Sequence, residues 1–147
     1  MNRLIRLRPL HAWILYLVLD VLCIGMGMGV PIVCIGFGLP VGWYMVQRLI
    51  NEGVELRQML HRVWWHAMAS AAVTFVGMAI LWGMTAPMLF DPAADLANFG
   101  IPMILYEPRA SFIGWLVLMI FISPFLQFLM ALFGAQWALL RCLKGQR

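Results

Sequence analysis

Long apolar runs alternate with short polar blocks along this chain. The charged residues gather at the two ends and in two internal blocks, around residues 48–62 and 91–109. A helix of about 20 apolar residues crosses the ~30 Å hydrocarbon core of a bilayer, and the runs are long enough for such helices. The pattern therefore predicts an all-α integral membrane protein with four transmembrane helices in two antiparallel hairpins. The expected spans are residues 11–26, 30–47, 63–84 and 112–140, joined by an inner loop, 48–62, and an outer loop, 85–111.

Glycine and proline mark the expected turns and bends of these helices. The Gly-rich segment 27–31 predicts a tight turn in the first hairpin. Pro40 predicts a kink in the second helix, and Pro124 predicts a bend in the long fourth helix. In the outer loop, Asp91 is expected to cap a short helix that ends before Gly100.

The composition excludes an ordinary soluble domain. Of the 147 residues, 64% are hydrophobic and only 11% are charged, and the mean hydropathy is +0.91. A soluble domain of this length needs more polar surface than that. The net charge of +4 comes from Arg and Lys next to the apolar runs, so it indicates contact with membrane lipid and not with nucleic acid. We expect one membrane domain over residues 1–147.

The distribution of basic residues predicts the orientation in the membrane. With four spans, both chain ends and the 48–62 block lie on one side, and that side holds nine of the ten Lys and Arg residues. The other side has Arg109 together with the acids Asp91, Asp95 and Glu107. Basic residues favour the cytoplasmic side. Both termini are therefore expected in the cytoplasm, and the compact, loop-poor layout favours a prokaryotic cell membrane.

Asp20 is the formal charge that lies deep inside a predicted span. An ionised carboxylate is costly there, so Asp20 has to be protonated or paired. Thr74, Ser123 and Gln127 fall at similar depth on the third and fourth helices and are its expected partners. This polar layer has two interpretations: a site for a proton or cation, or hydrogen bonds that hold helices or subunits together.

Small residues recur at helical spacing in the predicted spans. In lipid no hydrophobic force drives helices together, and small side chains allow their backbones to approach closely. We therefore interpret these positions as helix-packing faces, although a broken helix that exposes backbone groups to a substrate is an alternative. The residues assigned to these faces are Gly25, Gly29, Gly38, Gly42, Ala71, Gly77 and Gly134.

Two alternatives for cofactors follow from sulfur and imidazole groups. Cys23 and Cys34 flank the first turn, with Met26 and Met28 between them, and soft sulfur ligands suit Cu(I). However, methionine is also an ordinary filler of apolar helices, and its spacing forms no continuing ladder. We expect no metal site.

His11 and His66 both lie near the inner interface and could face each other across the first and third helices. A haem with two histidine ligands would require that geometry. Interfacial histidines that face lipid headgroups explain the same positions, so we expect no cofactor.

The sequence favours an interaction protein over an enzyme. It has no nucleophile elbow, phosphate-binding loop, HExxH or CxxC motif. It is rich in features that bind helices and poor in features that bind a substrate. The predicted function is an accessory or assembly subunit of a membrane complex, with other transmembrane subunits or further copies of the chain as partners. The alternative is a small oligomeric ion- or proton-coupled transporter or channel that uses Asp20.

Overall fold

The computed structural model of the chain describes residues 9–26, 32–101 and 105–145, and its secondary structure there is helical, without a strand. Two short 3₁₀ helices, Ala86–Leu89 and Leu96–Asn98, lie in the outer connection. A π-helical turn, Leu118–Ile122, joins the last two α-helices. The α-helices are α1 (Pro9–Met26), α2 (Ile32–Asn51), α3 (Leu56–Gly83), α4 (Pro108–Val117) and α5 (Ser123–Gly145).

Three of the helices are long and apolar enough to cross a membrane. They are α2, α3 and the continuous helix Pro108–Lys144, which contains α4, the π-helical turn and most of α5. The apolar stretch of α1, Leu10–Gly25, is shorter. Large apolar side chains such as Val21, Ile80 and Phe133 point outward, as expected where lipid is the solvent.

The inner connection is shorter than the 48–62 loop that the sequence predicted. The helix α2 continues to Asn51 and α3 begins at Leu56. Gly53 has a left-handed φ of 67°, and Val54 N–H donates to the carbonyl of Leu49 at 3.2 Å. This is the Schellman ending of a helix, in which glycine at the left-handed position allows the chain to turn sharply.

The helices run antiparallel and share two apolar clusters. The inner cluster joins the end of α2 and the start of α3 to the second half of α5 through Val46, Val63 and Ala138. The outer cluster joins the end of α1, the start of α2 and the end of α3 to α4, and includes Cys34 and Trp82. The start of α1, the end of α2, the start of α3 and the end of α5 therefore lie at one end of the bundle, which is named the inner end after the orientation predicted from the sequence.

The contact between α2 and α5 is the most extensive of any helix pair in the described ranges. A Cβ atom added to Gly38 would overlap the backbone carbonyl of Gln127, and one added to Gly42 would overlap that of Ala131. A Cβ atom on Gly134 would overlap the carbonyl of Leu39. These three glycines thus bring the two backbones into direct contact, as small residues do in membrane helices.

The other predicted packing residues have different surroundings. A Cβ atom on Gly77 would meet only the Cδ1 atom of Ile24, at 2.7 Å, and one on Gly25 would meet nothing within 4 Å. Ala71 is half-buried on α3. Gly29 lies outside the described residues.

Pro124 explains the π-helical turn that interrupts the last helix. Proline has no N–H group and cannot continue the usual hydrogen-bond pattern. In the turn that precedes Pro124, the N–H group of Ser123 donates to the carbonyl of Leu118, which is five residues back and not the usual four. Such turns insert one extra residue into a helix and often lie beside functional sites.

The cap predicted at Asp91 is wrong in position. Asp95 caps the 3₁₀ helix Leu96–Asn98, since its carboxylate accepts from the N–H group of Asn98 at 3.2 Å. Asp91 instead accepts from the N–H group of Ala93 at 2.9 Å and stabilises the preceding turn. Both aspartates follow local turn chemistry, and the next few residues decide which of them precedes a helix.

Candidate functional site

Three helices each carry two buried polar residues spaced four apart, and these pairs meet inside the bundle. Residues at this spacing lie on one face of a helix, one above the other. The face of each helix that carries its pair points toward the other two. The pairs are Tyr16 and Asp20 on α1, Ser70 and Thr74 on α3, and Ser123 and Gln127 on α5. We call these six residues the polar cluster.

Asp20 lies at the centre of the polar cluster and is fully buried. The hydroxyl of Thr74 lies 2.9 Å from both carboxylate oxygens and donates to them. The Nε2 atom of Gln127 donates to Oδ1 of Asp20 at 3.4 Å. Among the described residues, no Lys, Arg or His forms an ion pair with Asp20. Within the described ranges, the carboxyl group is therefore stabilised by neutral donors.

Tyr16 extends this network toward the inner end of the bundle. Its hydroxyl donates to the backbone carbonyl of Ser70 at 2.8 Å and lies 3.4 Å from the hydroxyl of Thr74. Its ring stacks on Phe37 of α2, with centroids 5.7 Å apart. Tyr16 thus connects α1 to both α2 and α3, directly below Asp20. Tyr16 was not among the residues of the polar layer predicted from the sequence, although its position four residues before Asp20 indicates that the two share one face of α1.

Two buried oxygen atoms of the polar cluster have no hydrogen-bond partner within the described chain. They are Oγ of Ser123 and Oε1 of Gln127, and both residues are fully buried. Unpaired buried polar atoms are uncommon because each one costs about 1–3 kcal/mol. Of the four residues that the sequence placed in one layer, three are joined by hydrogen bonds and Ser123 lies one turn away along α5.

A cavity of about 280 Å³ lies between α1 and α2, and two residues of the polar cluster, Tyr16 and Ser70, are among those that line it. Its walls are almost wholly apolar and include Trp13, Phe37 and Trp43. A second space of about 180 Å³ adjoins it toward the inner connection, and Arg48, Glu52, Arg62 and His66 line this part. The two spaces share Ala12, Trp13, Met45 and His66. They lead from the basic inner end of the bundle to the edge of the polar cluster.

The possible metal ligands lie in apolar surroundings. Cys23 and Cys34 are both buried in the outer apolar cluster. Met28 and the side chain of Met26 lie outside what the structure describes. Within the described ranges, no three His, Cys, Asp or Glu residues are grouped as a metal site requires.

The two histidines considered for haem do not face each other. The ring of His66 stacks on Trp13, with centroids 6.0 Å apart, and its Nδ1 atom lies 2.6 Å from the carbonyl of Arg62. Positions two apart on a helix point in different directions, so His11 faces away from His66 when Trp13 faces it. His11 is accordingly exposed. His11 and His66 are therefore not arranged as the two axial ligands of a haem, the alternative considered from the sequence.

The polar cluster can hold Asp20 in two protonation states. As a carboxylate, Asp20 accepts from Thr74 and Gln127. As a carboxylic acid, it can donate to the hydroxyl of Thr74, which then donates to the carbonyl of Ser70 at 3.3 Å. Rotation of the Gln127 amide would also place Oε1 toward the carboxyl proton. Within the cluster, the hydrogen bonds of either protonation state therefore form by local reorientation of donors.

Comparisons with protein-family models, curated proteins and solved structures give no significant match for this chain. Its function has to be inferred from its own residues.

Proposed function

We propose that the chain crosses the membrane four times with both ends in the cytoplasm. Eighteen residues of α1 extend about 27 Å at 1.5 Å per residue, close to the ~30 Å hydrocarbon core. The helix ends that adjoin the basic residues all lie at the same end of the bundle, which fits the positive-inside rule. We place the protein in a prokaryotic cell membrane. Single cysteines added at Arg57 and at Asp91, labelled in intact cells, test the orientation: only the Asp91 position should react from outside.

Within this topology, we propose a small membrane protein that conducts protons, as a channel or transporter, with Asp20 as the group that binds the proton. A single observation carries this proposal. Asp20 is fully buried between three helices and accepts hydrogen bonds from Thr74 and Gln127, without a basic partner in the described ranges. Acids inside membrane spans commonly mark proton and ion pathways. A chain of 147 residues would have to oligomerise to enclose a pathway across the membrane.

The mechanism follows from the cost of charge in the membrane. An ionised aspartate at the centre of a span costs about 2.5–3.5 kcal/mol on insertion scales, so the closed cluster favours the neutral acid. Release of the proton requires water near the carboxylate. Tyr16 lines the cavity between α1 and α2, and its hydroxyl lies 3.4 Å from that of Thr74. Movement of Tyr16 would let water reach Asp20 and couple opening of the cavity to proton release.

Proton flux into liposomes tests this function. Purified protein is reconstituted with a pH-sensitive dye inside, and a potassium diffusion potential drives proton entry. Wild type should acidify the lumen faster than protein-free liposomes do. Asp20→Asn keeps the side-chain volume but cannot titrate, so its flux should fall to the protein-free rate. Asp20→Glu keeps a titratable group and should retain part of the flux.

The contradicting outcomes are equally specific. Equal flux in wild type and Asp20→Asn would exclude Asp20 as the proton carrier. Absence of flux in wild type, with the protein correctly folded by gel filtration, would exclude proton transport by this chain alone.

The second candidate is an accessory or assembly subunit of a membrane complex. The observation in its favour is the outward face of α1, where Ile14, Val18, Val21 and Leu22 are all exposed. The predicted helix-packing glycines favour it less, because Gly38, Gly42 and Gly134 pack against backbone atoms of this same chain. Native mass spectrometry after mild extraction tests this function. Recovery of the chain with a defined set of other membrane proteins would support it, and recovery of the chain alone or as a homo-oligomer would oppose it.

A further inference from the structure

We infer that the cavity between α1 and α2 binds one molecule of an anionic membrane lipid. One acyl chain would occupy the apolar part, and the phosphate headgroup would lie at the inner end beside Arg48 and Arg62. This inference does not depend on proton binding by Asp20.

The shape and lining of the cavity fit an acyl chain. The apolar part has a volume of about 280 Å³ and is partly open, and the adjoining polar part adds about 180 Å³. Together they reach the lower part of the ~300–1,000 Å³ range of ligand sites. Aromatic side chains of α1 and α2, including Trp13 and Trp43, form the walls. Such residues favour the interface between headgroups and acyl chains.

The charges at the mouth provide the selectivity. The guanidinium of Arg48 donates to Glu52 at 3.0 Å, and Arg62 lies 4.0 Å from the same carboxylate. Two cations therefore share one acid, which leaves an excess positive charge where the cavity meets the inner interface. Basic pockets between helices on the cytoplasmic side bind anionic headgroups. An acyl chain alone would gain little here, because lipid tails are as apolar as the cavity walls.

The packing of α1 explains why a lipid can enter at this point. The helix α1 has much less extensive contact with its neighbours than α2 has with α5. Between α1 and α2, the ring of Tyr16 stacks on Phe37, and both residues line the cavity. The cavity lies between the two helices beside this stack. A lipid chain in this position would complete the contact between them.

Lipid retention measured by native mass spectrometry tests the inference. Protein extracted in mild detergent is incubated with equal amounts of phosphatidylglycerol and phosphatidylcholine that have distinct masses but matched chains. Phosphatidylglycerol should remain bound at one molecule per chain, in clear excess over phosphatidylcholine. Arg62→Gln should lower its apparent affinity about fivefold, which corresponds to about 1 kcal/mol per basic residue at a membrane surface. Arg48→Gln should act in the same direction.

Two variants separate this site from a general basic surface and from misfolding. Arg57 is exposed in the first turn of α3 but lines neither space, so Arg57→Gln should leave retention unchanged. Glu52→Gln removes the acid that competes for the arginines and should raise retention, an effect that a damaged fold would not produce.

A third pair tests the apolar part. Ala12 lines both spaces, and Ala12→Phe should displace the lipid, whereas Ala69→Phe on an exposed position of α3 should not. Equal retention of both lipids, equal losses in Arg57→Gln and Arg62→Gln, or full retention in Ala12→Phe would each overturn the inference.

Discussion

The contact between α2 and α5 and the contact of α1 with the rest of the bundle are built on different physical principles. In the first, the glycines Gly38, Gly42 and Gly134 place backbone directly against backbone. In the second, hydrogen bonds of Tyr16 and Asp20 join α1 to α3 and α5, and a cavity separates much of α1 from α2.

This difference indicates which part of the molecule can move. A backbone contact without intervening side chains has no means of adjustment, because only a shift of a whole helix could relieve an overlap. Hydrogen bonds between side chains can exchange partners, and a cavity can open or fill. We therefore regard α2 and α5 as the rigid part and α1 as the adjustable part, with Asp20 at the junction between them.

Gly42→Ala should have the largest effect on stability. The added methyl group would overlap the backbone carbonyl of Ala131, so α2 and α5 would have to separate. We expect a loss of about 3 kcal/mol in the free energy of unfolding, measured by denaturant titration in micelles. The matched control is Gly36→Ala on the same helix, where a Cβ meets nothing within 4 Å. Equal stability of the two variants would contradict direct backbone contact.

Asp20→Leu should release α1 while the contact between α2 and α5 survives. The substitution leaves Thr74 and Gln127 without their acceptor and removes the penalty that an aspartate suffers when α1 faces lipid. The expected cost is about 2 kcal/mol, and amide hydrogen exchange should rise in α1 but not in α2. Asp20→Asn keeps an acceptor and should change exchange much less. Faster exchange in both helices would show that α1 and α2 unfold together.

Tyr16→Phe should weaken the same attachment by a smaller amount. It removes the hydrogen bond to the carbonyl of Ser70 but keeps the ring stacked on Phe37. We expect a loss of about 1 kcal/mol, read from the thermal midpoint in micelles. Tyr106→Phe is the control, since Tyr106 is fully exposed and its change should stay within about 0.5 kcal/mol. An equal shift in both variants would remove Tyr16 from the network.

Gly77→Ala should have the smallest effect on stability, and it directly compares the packing of α1 with the contact between α2 and α5. Like Gly42, Gly77 lies close to a neighbouring helix, but its added methyl group would meet only the end of the Ile24 side chain. That side chain can change rotamer, so the expected loss is below about 1 kcal/mol. The thermal midpoints of Gly77→Ala and Gly42→Ala, measured under the same conditions, show whether the two losses of stability differ. A loss as large as that of Gly42→Ala would mean that α1 is as rigidly packed as α5.

Depth along the chain was enough to relate Asp20 to Thr74 and Gln127, because helices that cross one membrane share a vertical scale. It was not enough to find Tyr16, whose hydroxyl reaches a backbone carbonyl that no sequence pattern marks. Depth also failed for His11, which lies near the level of His66 but points away from it. The rotation of each helix about its own axis decides such cases, and packing of the neighbouring helices sets it.

The sequence by itself determined that the protein is helical and apolar, since unbroken apolar runs in lipid must satisfy their backbone groups within a helix. It also indicated the small residues that allow close packing. Only the tertiary structure decided which helix packs against each glycine. A Cβ atom added to Gly42 would overlap Ala131, whereas one added to Gly25 would have no neighbour within 4 Å. The cavity beside Tyr16 is likewise a feature of the tertiary structure. These features depend on relative rotation and distance between helices, and many side chains far apart in the chain set both together.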